Sequence, residues 1–145
     1  MNEPKDLYNV AVKVLMKKGG NLLITHDVFG EWDIPGGRIK PDEFETPLED
    51  IIQRKMNEEL GSSLRYKLGA PKVFFRHERI EMTSGEKARI FAVGYEAEYV
   101  SGDIILGNNH DDYKWVDVND FEPSNYFKGG WLKGMNEYLS SEAAS

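Results

Sequence analysis

Residues 35–61 read PGGRIKPDEFETPLEDIIQRKMNEELG, and this stretch carries the clearest structural signals in the sequence. Pro35 and the Gly36-Gly37 pair predict a loop with unusual backbone angles, in which the main chain can approach a ligand closely. After the loop, apolar residues at steps of three and four predict a helix of about 14 residues. These apolar residues are Leu48, Ile51, Ile52, Met56 and Leu60. Thr46-Pro47-Leu48-Glu49 has the form of a capping box at the start of this helix, and Gly61 has the place of a C-cap glycine at its end.

Two adjacent glutamates lie near the end of the predicted helix. The helix dipole disfavours negative charge at a C-terminus, so a cation bound by Glu58 and Glu59 would compensate for their position. Arg54 precedes Glu58 by one helical turn and therefore shares its face of the helix. Mg²⁺ prefers oxygen ligands and keeps several waters, so two carboxylates and the backbone carbonyl of Gly36 are sufficient to hold one ion. The stretch thus predicts a loop and a helix that together bind a divalent cation.

The composition limits the class of protein. A chain of 145 residues with 40% hydrophobic and 12% aromatic residues predicts one domain over residues 1–145. The net charge of −7 opposes binding to nucleic acid, so an acidic chain that handles phosphate needs a local basic cluster or a divalent metal. The sequence has no cysteine, no apolar run of membrane length and no secretory leader pattern. We therefore expect a soluble, cytoplasmic protein whose partners include neither nucleic acid nor a membrane.

Strand-like segments flank the predicted helix. Alternating apolar residues predict a strand with one core face over Leu7–Met16, and a glycine turn joins it to a second strand at Leu22–Ile24. Period-two patterns at Val73–Phe75 and Ala88–Tyr99 predict a second hairpin, whose strands are joined across residues 83–86.

The C-terminal part of the chain predicts one more strand and a second helix. Tyr113–Val116 has strand character, and apolar residues between Trp131 and Leu139 repeat at helical spacing. We expect this helix to pack on the sheet and residues 140–145 to be frayed. Strands interrupted by one helix and closed by another predict a mixed α/β/α sandwich.

The glycine pair and the helix end resemble a known family. Pro35-Gly36-Gly37, the carboxylate-rich loop and Arg54–Gly61 are similar to the Nudix box, whose usual form is G-x5-E-x7-R-E-U-x-E-E-x-G-U, with U aliphatic. The resemblance implies the Nudix α/β/α fold with a mixed sheet. It also implies a metal-dependent hydrolase that cleaves a nucleoside diphosphate linked to another moiety, with a small-molecule substrate and a homodimer as expected partners.

The resemblance assigns roles to individual residues. It implies that Glu58, Glu59 and the Gly36 carbonyl bind Mg²⁺ or Mn²⁺, and that Arg54 holds the carboxylates in place. Arg38 directly follows the glycines and is a candidate phosphate contact, because a guanidinium can donate two parallel hydrogen bonds to an oxyanion.

The sequence departs from the family pattern at three places in the box, of which Ser62 at the final aliphatic position is the mildest. Lys55 stands where the family has a glutamate, which removes one candidate metal ligand and predicts fewer bound ions. The loop is also long. Glu43 follows Gly37 after five residues but precedes Arg54 by ten, whereas Glu45 gives spacings of seven and eight. The spacing leaves open which of these two glutamates fills the loop position of the box.

A second segment, His110-Asp111-Asp112-Tyr113, resembles a loop of GDP-mannose mannosyl hydrolases. In those Nudix relatives a histidine at this place is the general base, and the attack is on the sugar carbon. Histidine is suited to accept a proton near neutral pH. Three functions therefore remain open: hydrolysis at phosphorus, hydrolysis of a GDP-sugar at carbon, and nucleotide binding by a regulator that has lost catalysis.

Overall fold

The structure is a computed structural model, and it describes residues 3–144. Seven strands and two helices form in this part of the chain. The strands are β1 (Asn9–Lys18), β2 (Asn21–Asp27), β3 (Trp32–Asp33), β4 (Gly36–Arg38), β5 (Arg65–Ile80), β6 (Lys87–Ser101) and β7 (His110–Asp117). The helices are α1 (Leu48–Leu60) and α2 (Gly129–Ala144), and short 3₁₀ turns occur at Pro41–Glu43 and Pro123–Asn125. All seven strands belong to one sheet in the order β3-β2-β1-β6-β5, with β4 paired to β1 and β7 paired to β2.

β1 is the strand around which the sheet is organised. It pairs in parallel with β6 and antiparallel with β4, so the sheet is mixed. β1 meets β2 only next to their shared glycine turn, at Lys17 opposite Leu22 and Lys18 opposite Asn21. The first predicted hairpin is confirmed, although β2 then leaves β1 and pairs with β3 and β7. The divergence of β1 and β2 makes room for β4 beside β1.

β1 is buried on both faces, so the prediction of a single core face is wrong. Val12, Val14 and Met16 lie in a hydrophobic cluster with residues of α1, whereas Ala11 and Leu15 lie in a second cluster with residues of α2. Alternate residues of a strand point to opposite faces, so one helix covers each side of the sheet. This arrangement confirms the predicted α/β/α sandwich.

The start of α1 differs from the sequence prediction. Pro47 is the N-cap with φ −55° and ψ 141°, and no side-chain cap hydrogen bond forms at this end within residues 3–144. The capping box predicted for Thr46 and Glu49 is therefore wrong. A capping box at Thr46 requires the helix to begin at Pro47, but it begins at Leu48, one residue later. Thr46 therefore lies outside the cap, and Glu49 occupies the second helical position instead of the third. The predicted C-cap is confirmed, because Gly61 has φ 89° and its N–H closes the last turn.

The second hairpin is also confirmed, and its strands β5 and β6 are longer than the apolar pattern indicated. The predicted strand Tyr113–Val116 lies inside β7. α2 packs on β5, and an ideal Cβ on Gly134 would lie 2.2 Å from the ring of Phe75, so this close contact requires glycine. No helix in the described part of the chain combines the length and the apolar character needed to cross a membrane.

The predicted fraying of residues 140–145 is wrong for the residues that the structure describes, because α2 continues to Ala144. Ser145 lies outside them. Two side-chain contacts hold the last turns of α2 to the sheet. Tyr138 donates a hydrogen bond of 2.6 Å to Glu96 on β6, and Lys17 on β1 pairs with Glu142 at 2.9 Å.

Candidate active site

The glycine pair and the end of α1 meet directly. Gly36 is buried at the start of β4, and its N–H donates a hydrogen bond of 3.2 Å to Oε1 of Glu59. Gly36 has φ 142°, and an ideal Cβ there would lie 2.1 Å from the carbonyl oxygen of Val12 and 2.8 Å from Cα of Lys13. Only glycine fits this backbone conformation and this distance from β1. The close approach of β4 to β1 is what brings the main chain within reach of Glu59.

Glu59 is a buried acid with a strongly perturbed pKa. Its side chain is 13% exposed, and burial raises the pKa of Glu59 to about 7, while Lys13 and the Gly36 N–H act in the opposite direction. Burial disfavours the charged carboxylate because it loses hydration. A carboxyl group with this pKa exchanges its proton near neutral pH, which is a frequent property of functional groups in enzymes.

Lys13 is a site residue that the sequence reasoning missed. It is 5% exposed, and its ammonium donates hydrogen bonds to Asp33 at 3.1 Å and to the carbonyl of Ile34 at 3.0 Å. The ammonium also lies 5.0 Å from the centre of the Trp131 ring, a cation–π distance. The sequence does indicate that this lysine is unusual, since it stands in the middle of the first strand and the strand residues on either side of it are apolar. Such a charge is buried only when it is paired.

Arg54 joins two of the predicted carboxylates. Its guanidinium binds Glu43 through two hydrogen bonds of 2.8 and 2.6 Å and binds Glu58 through one of 3.0 Å. The hydrogen bonds from Arg54 lower the pKa of Glu43. Burial acts to raise the pKa of Glu58, but Arg54 and Lys55 together outweigh it, and this pKa is lowered. Both carboxylates are therefore ionised at neutral pH, whereas a large fraction of the Glu59 side chains is protonated.

The structure distinguishes the two loop glutamates. Glu43 contacts Arg54 and also accepts a hydrogen bond of 2.9 Å from the backbone N–H of Lys40. Glu45 is exposed, and it has no hydrogen bond or ion pair with any residue between 3 and 144. Residues 44–47 connect the 3₁₀ turn at Pro41–Glu43 to α1. Glu43 is thus the loop carboxylate that faces the helix.

His110 begins β7 and lies beside Glu59. Its Nε2 atom is 4.0 Å from Oε1 of Glu59, and its Nδ1 atom is buried without a hydrogen-bond partner among the described residues. Burial lowers the pKa of His110, while Asp33 and Asp27 oppose this effect. The imidazole is therefore neutral at pH 7, so the contact with Glu59 is not an ion pair at that pH and one ring nitrogen can accept a proton.

Arg38 is not brought together with the other candidates. It is exposed at the end of β4, opposite Ala11 of β1, and its guanidinium has no hydrogen bond or ion pair within the described range 3–144. It is therefore available to a ligand but is not held in position by the protein.

The donor set suits one hard cation better than a cluster of ions. No group of three or more His, Asp or Glu side chains is arranged to hold a metal in the part of the chain that the structure describes. Glu59 contacts the Gly36 N–H, Glu58 is its neighbour on α1, and Lys13 and the Gly36 N–H oppose only in part the effect of burial on the pKa of Glu59. Mg²⁺ needs only one or two carboxylates when waters and substrate phosphates complete its octahedral shell. The residues fit one such ion.

The comparisons with known proteins agree with this geometry. The family model for the NUDIX domain matches residues 7–133, so the chain belongs to the NUDIX domain family. Membership of this family places the chain among the hydrolases that act on nucleoside diphosphate derivatives. No curated protein matches the chain significantly.

Solved structures share the fold at low sequence identity. A MutT protein from Methanosarcina mazei is 22% identical with a TM-score of 0.76, and the match covers 99% of this chain and 100% of that chain. An ADP-ribose pyrophosphatase from Streptococcus suis is 14% identical with a TM-score of 0.65, over 94% of this chain and 92% of that one. The ORF135 protein of E. coli is 17% identical with a TM-score of 0.69, over 94% of this chain and 92% of that one. These similarities support the α/β/α fold of the chain.

Proposed function

We propose that this NUDIX protein is a Mg²⁺- or Mn²⁺-dependent hydrolase that cleaves a nucleoside diphosphate linked to another moiety. The observation that carries the proposal is the contact between the Gly36 N–H and Glu59, a buried carboxylate whose pKa lies near neutrality. A charged helix end on the protein surface would have neither the burial nor this main-chain partner. Solved structures with a similar fold include an ADP-ribose pyrophosphatase and a UDP-X diphosphatase, which is consistent with such a substrate class.

Glu58, Glu59 and the backbone carbonyl of Gly36 are the groups that would hold the ion. When bound, a divalent ion supplies charge neutralisation at the pyrophosphate and lowers the pKa of a water molecule. Arg54 keeps Glu58 and Glu43 in fixed positions through three hydrogen bonds. Arg38 supplies a guanidinium to a phosphate group of the substrate.

The candidate proton acceptor is His110 or a carboxylate of the site that does not hold the ion. Burial lowers the pKa of His110, so the imidazole is neutral at pH 7. A neutral imidazole can accept a proton from the attacking water through one ring nitrogen.

The test is a screen of nucleotide sugars, dinucleotides and nucleoside triphosphates with Mg²⁺ or Mn²⁺. We expect turnover of at least one class, and loss of that turnover in Glu59→Gln with the fold retained. Glu45→Gln is the matched control, because it makes the same chemical change at an exposed residue without contacts within residues 3–144. An absence of turnover on every class, or full activity of Glu59→Gln, would overturn the proposal.

The position of His110 favours a second candidate reaction, hydrolysis of a GDP-sugar by attack at the sugar carbon. The imidazole lies 4.0 Å from Glu59, in the same site as the predicted metal ligands. Hydrolysis in ¹⁸O-labelled water separates the two reactions. Label in the phosphate product indicates attack at phosphorus, and label in the sugar indicates attack at carbon.

The regulator hypothesis predicts binding without chemistry. It is motivated by Lys55 and by the lengthened loop, since both depart from the family pattern. Calorimetry that shows tight nucleotide binding by a chain with no turnover would favour it over both hydrolytic reactions.

A further inference from the structure

Lys55 directs its side chain from α1 onto the glycine pair. An ideal Cβ on Gly37 would lie 2.4 Å from Cε and 2.7 Å from Nζ of Lys55. The ammonium therefore rests against the main chain of β4, next to the glycine that contacts Glu59. The Lys55 side chain is only 19% exposed, so its position differs from that of a solvated surface lysine.

The ammonium has hydrogen-bonding capacity that its protein contacts do not use. Its ion-pair partner within residues 3–144 is Oε2 of Glu58, at 3.5 Å. This distance is long for a charge-assisted hydrogen bond, and an ammonium carries three donors. Lys55 is thus a cation placed between Gly37 and Glu58, one of the predicted metal ligands.

We propose that the Lys55 ammonium is a built-in cation of the site, which binds a pyrophosphate oxygen of the substrate and takes the place of a second divalent ion. This inference rests on the proposed function. Three physical arguments support it. First, the charge is attached to α1, so the site gains it without taking up an ion. Second, the ammonium lies 3.5 Å from Glu58 and would repel a second divalent ion that approached this carboxylate. The ammonium also provides the local positive charge that a chain of net charge −7 needs to bind phosphate.

The first experiment counts the Mn²⁺ ions bound per chain, from the electron paramagnetic resonance signal of free Mn²⁺ during a titration. It compares the wild type, Lys55→Glu and Lys133→Glu. Lys133 is exposed on α2, so Lys133→Glu changes the net charge equally at a distance from these carboxylates. We expect one ion for the wild type and for Lys133→Glu, and two for Lys55→Glu. Equal numbers in all three proteins, or two ions in the wild type, would overturn the inference.

The second experiment measures the affinity of methylenediphosphonate, a diphosphate analogue, by calorimetry with saturating Mg²⁺. Loss of one charge-assisted contact predicts about tenfold weaker binding in Lys55→Met. Lys55→Arg keeps the charge and is expected to bind within about threefold of the wild type. Equal affinity of the wild type and Lys55→Met, or no measurable binding by the wild type, contradicts the inference. Lys55→Gln replaces Lys55→Met if circular dichroism shows that the latter is unfolded.

Different outcomes refute the proposed function and the role of Lys55. A wild type that binds no Mn²⁺ and hydrolyses no nucleotide substrate refutes the proposed function and this inference with it. A wild type that binds one ion and hydrolyses a substrate, while Lys55→Glu gains no ion, refutes the role of Lys55 alone.

Discussion

The Gly36 N–H and the Glu59 carboxylate are joined by a hydrogen bond of 3.2 Å, which links the start of β4 to the last turn of α1. The two residues are 23 positions apart in the sequence. Glu59 is buried by this arrangement, and its unusual pKa follows from the burial. The backbone contact fixes where the Glu59 carboxylate lies, whereas burial, whose effect the contact opposes, raises its pKa.

We predict that Glu59 makes the protein less stable as the pH rises. The pKa of Glu59 is about 7 in the folded state, against an ordinary value of 4.5, so the folded protein binds more protons than the unfolded one between these values. The contribution of Glu59 to the free energy of unfolding must therefore fall between pH 4.5 and 7, by at most about 3 kcal/mol. Urea unfolding of the wild type and Glu59→Gln in EDTA at several pH values measures this contribution as a difference, because other carboxylates with lowered pKa values act in the opposite direction.

Glu59→Gln is expected to remove most of this pH dependence and to be more stable than the wild type at pH 8. Glu45→Gln is the control and should follow the wild-type curve. A wild-type stability that rises from pH 5 to 8 by the same amount in all three proteins would show that Glu59 does not titrate with a raised pKa.

Removal of the Lys13 charge should raise the pKa of Glu59 further, because Lys13 is the strongest of the groups that lower it. In Lys13→Met the fall in stability with pH should therefore extend to higher pH than in the wild type. The loss of the hydrogen bonds to Asp33 and Ile34 should also cost about 1–3 kcal/mol. Unfolding curves between pH 6 and 9 measure both effects. An unchanged pH range would mean that Lys13 does not influence Glu59.

The elements that a local pattern encodes could be predicted from the sequence. Gly36-Gly37, the end of α1 at Gly61 and both hairpins depend on residues close together in the chain, so spacing alone indicates them. The apolar neighbours of Lys13 indicate that it is buried and paired, but its partners Asp33 and Ile34 are 20 and 21 positions away, so the sequence alone could not assign it to the site.

The choice between Glu43 and Glu45 also needed the three-dimensional structure. Either glutamate could approach Arg54 across a loop of flexible length, and the 3₁₀ turn at Pro41–Glu43 decides which carboxylate faces α1. The prediction for the start of α1 was wrong for a similar reason. Thr46 and Glu49 have the correct types for a capping box, but Pro47 moves the cap by one residue.

Arg54 and Glu43 form a pair whose geometry should matter for activity. Arg54→Lys keeps the positive charge, but a lysine cannot donate two parallel hydrogen bonds to Glu43 and bind Glu58 with the same geometry, so both carboxylates lose their fixed positions. We expect kcat/KM to fall by about 10- to 100-fold, as is typical when a residue that orients metal ligands is changed. Glu43→Gln should show a similar loss, and Glu45→Gln should not. A larger loss in Glu45→Gln than in Glu43→Gln would reverse the assignment of the loop carboxylate.

The two neighbouring glycines should respond differently to alanine. Gly36→Ala places a methyl group against the backbone of Val12 and Lys13 and forces alanine into a positive φ of 142°. Because β1 cannot move without disturbing both hydrophobic clusters, we expect a loss of at least about 2 kcal/mol in the free energy of unfolding. Gly37→Ala meets only the flexible end of Lys55, which can rotate away. Its stability should therefore change by less than about 1 kcal/mol, although the displaced ammonium should weaken the binding of methylenediphosphonate. Chemical unfolding and calorimetry on the same two variants measure the contrast, and equal destabilisation by both would contradict the close packing of Gly36 against β1.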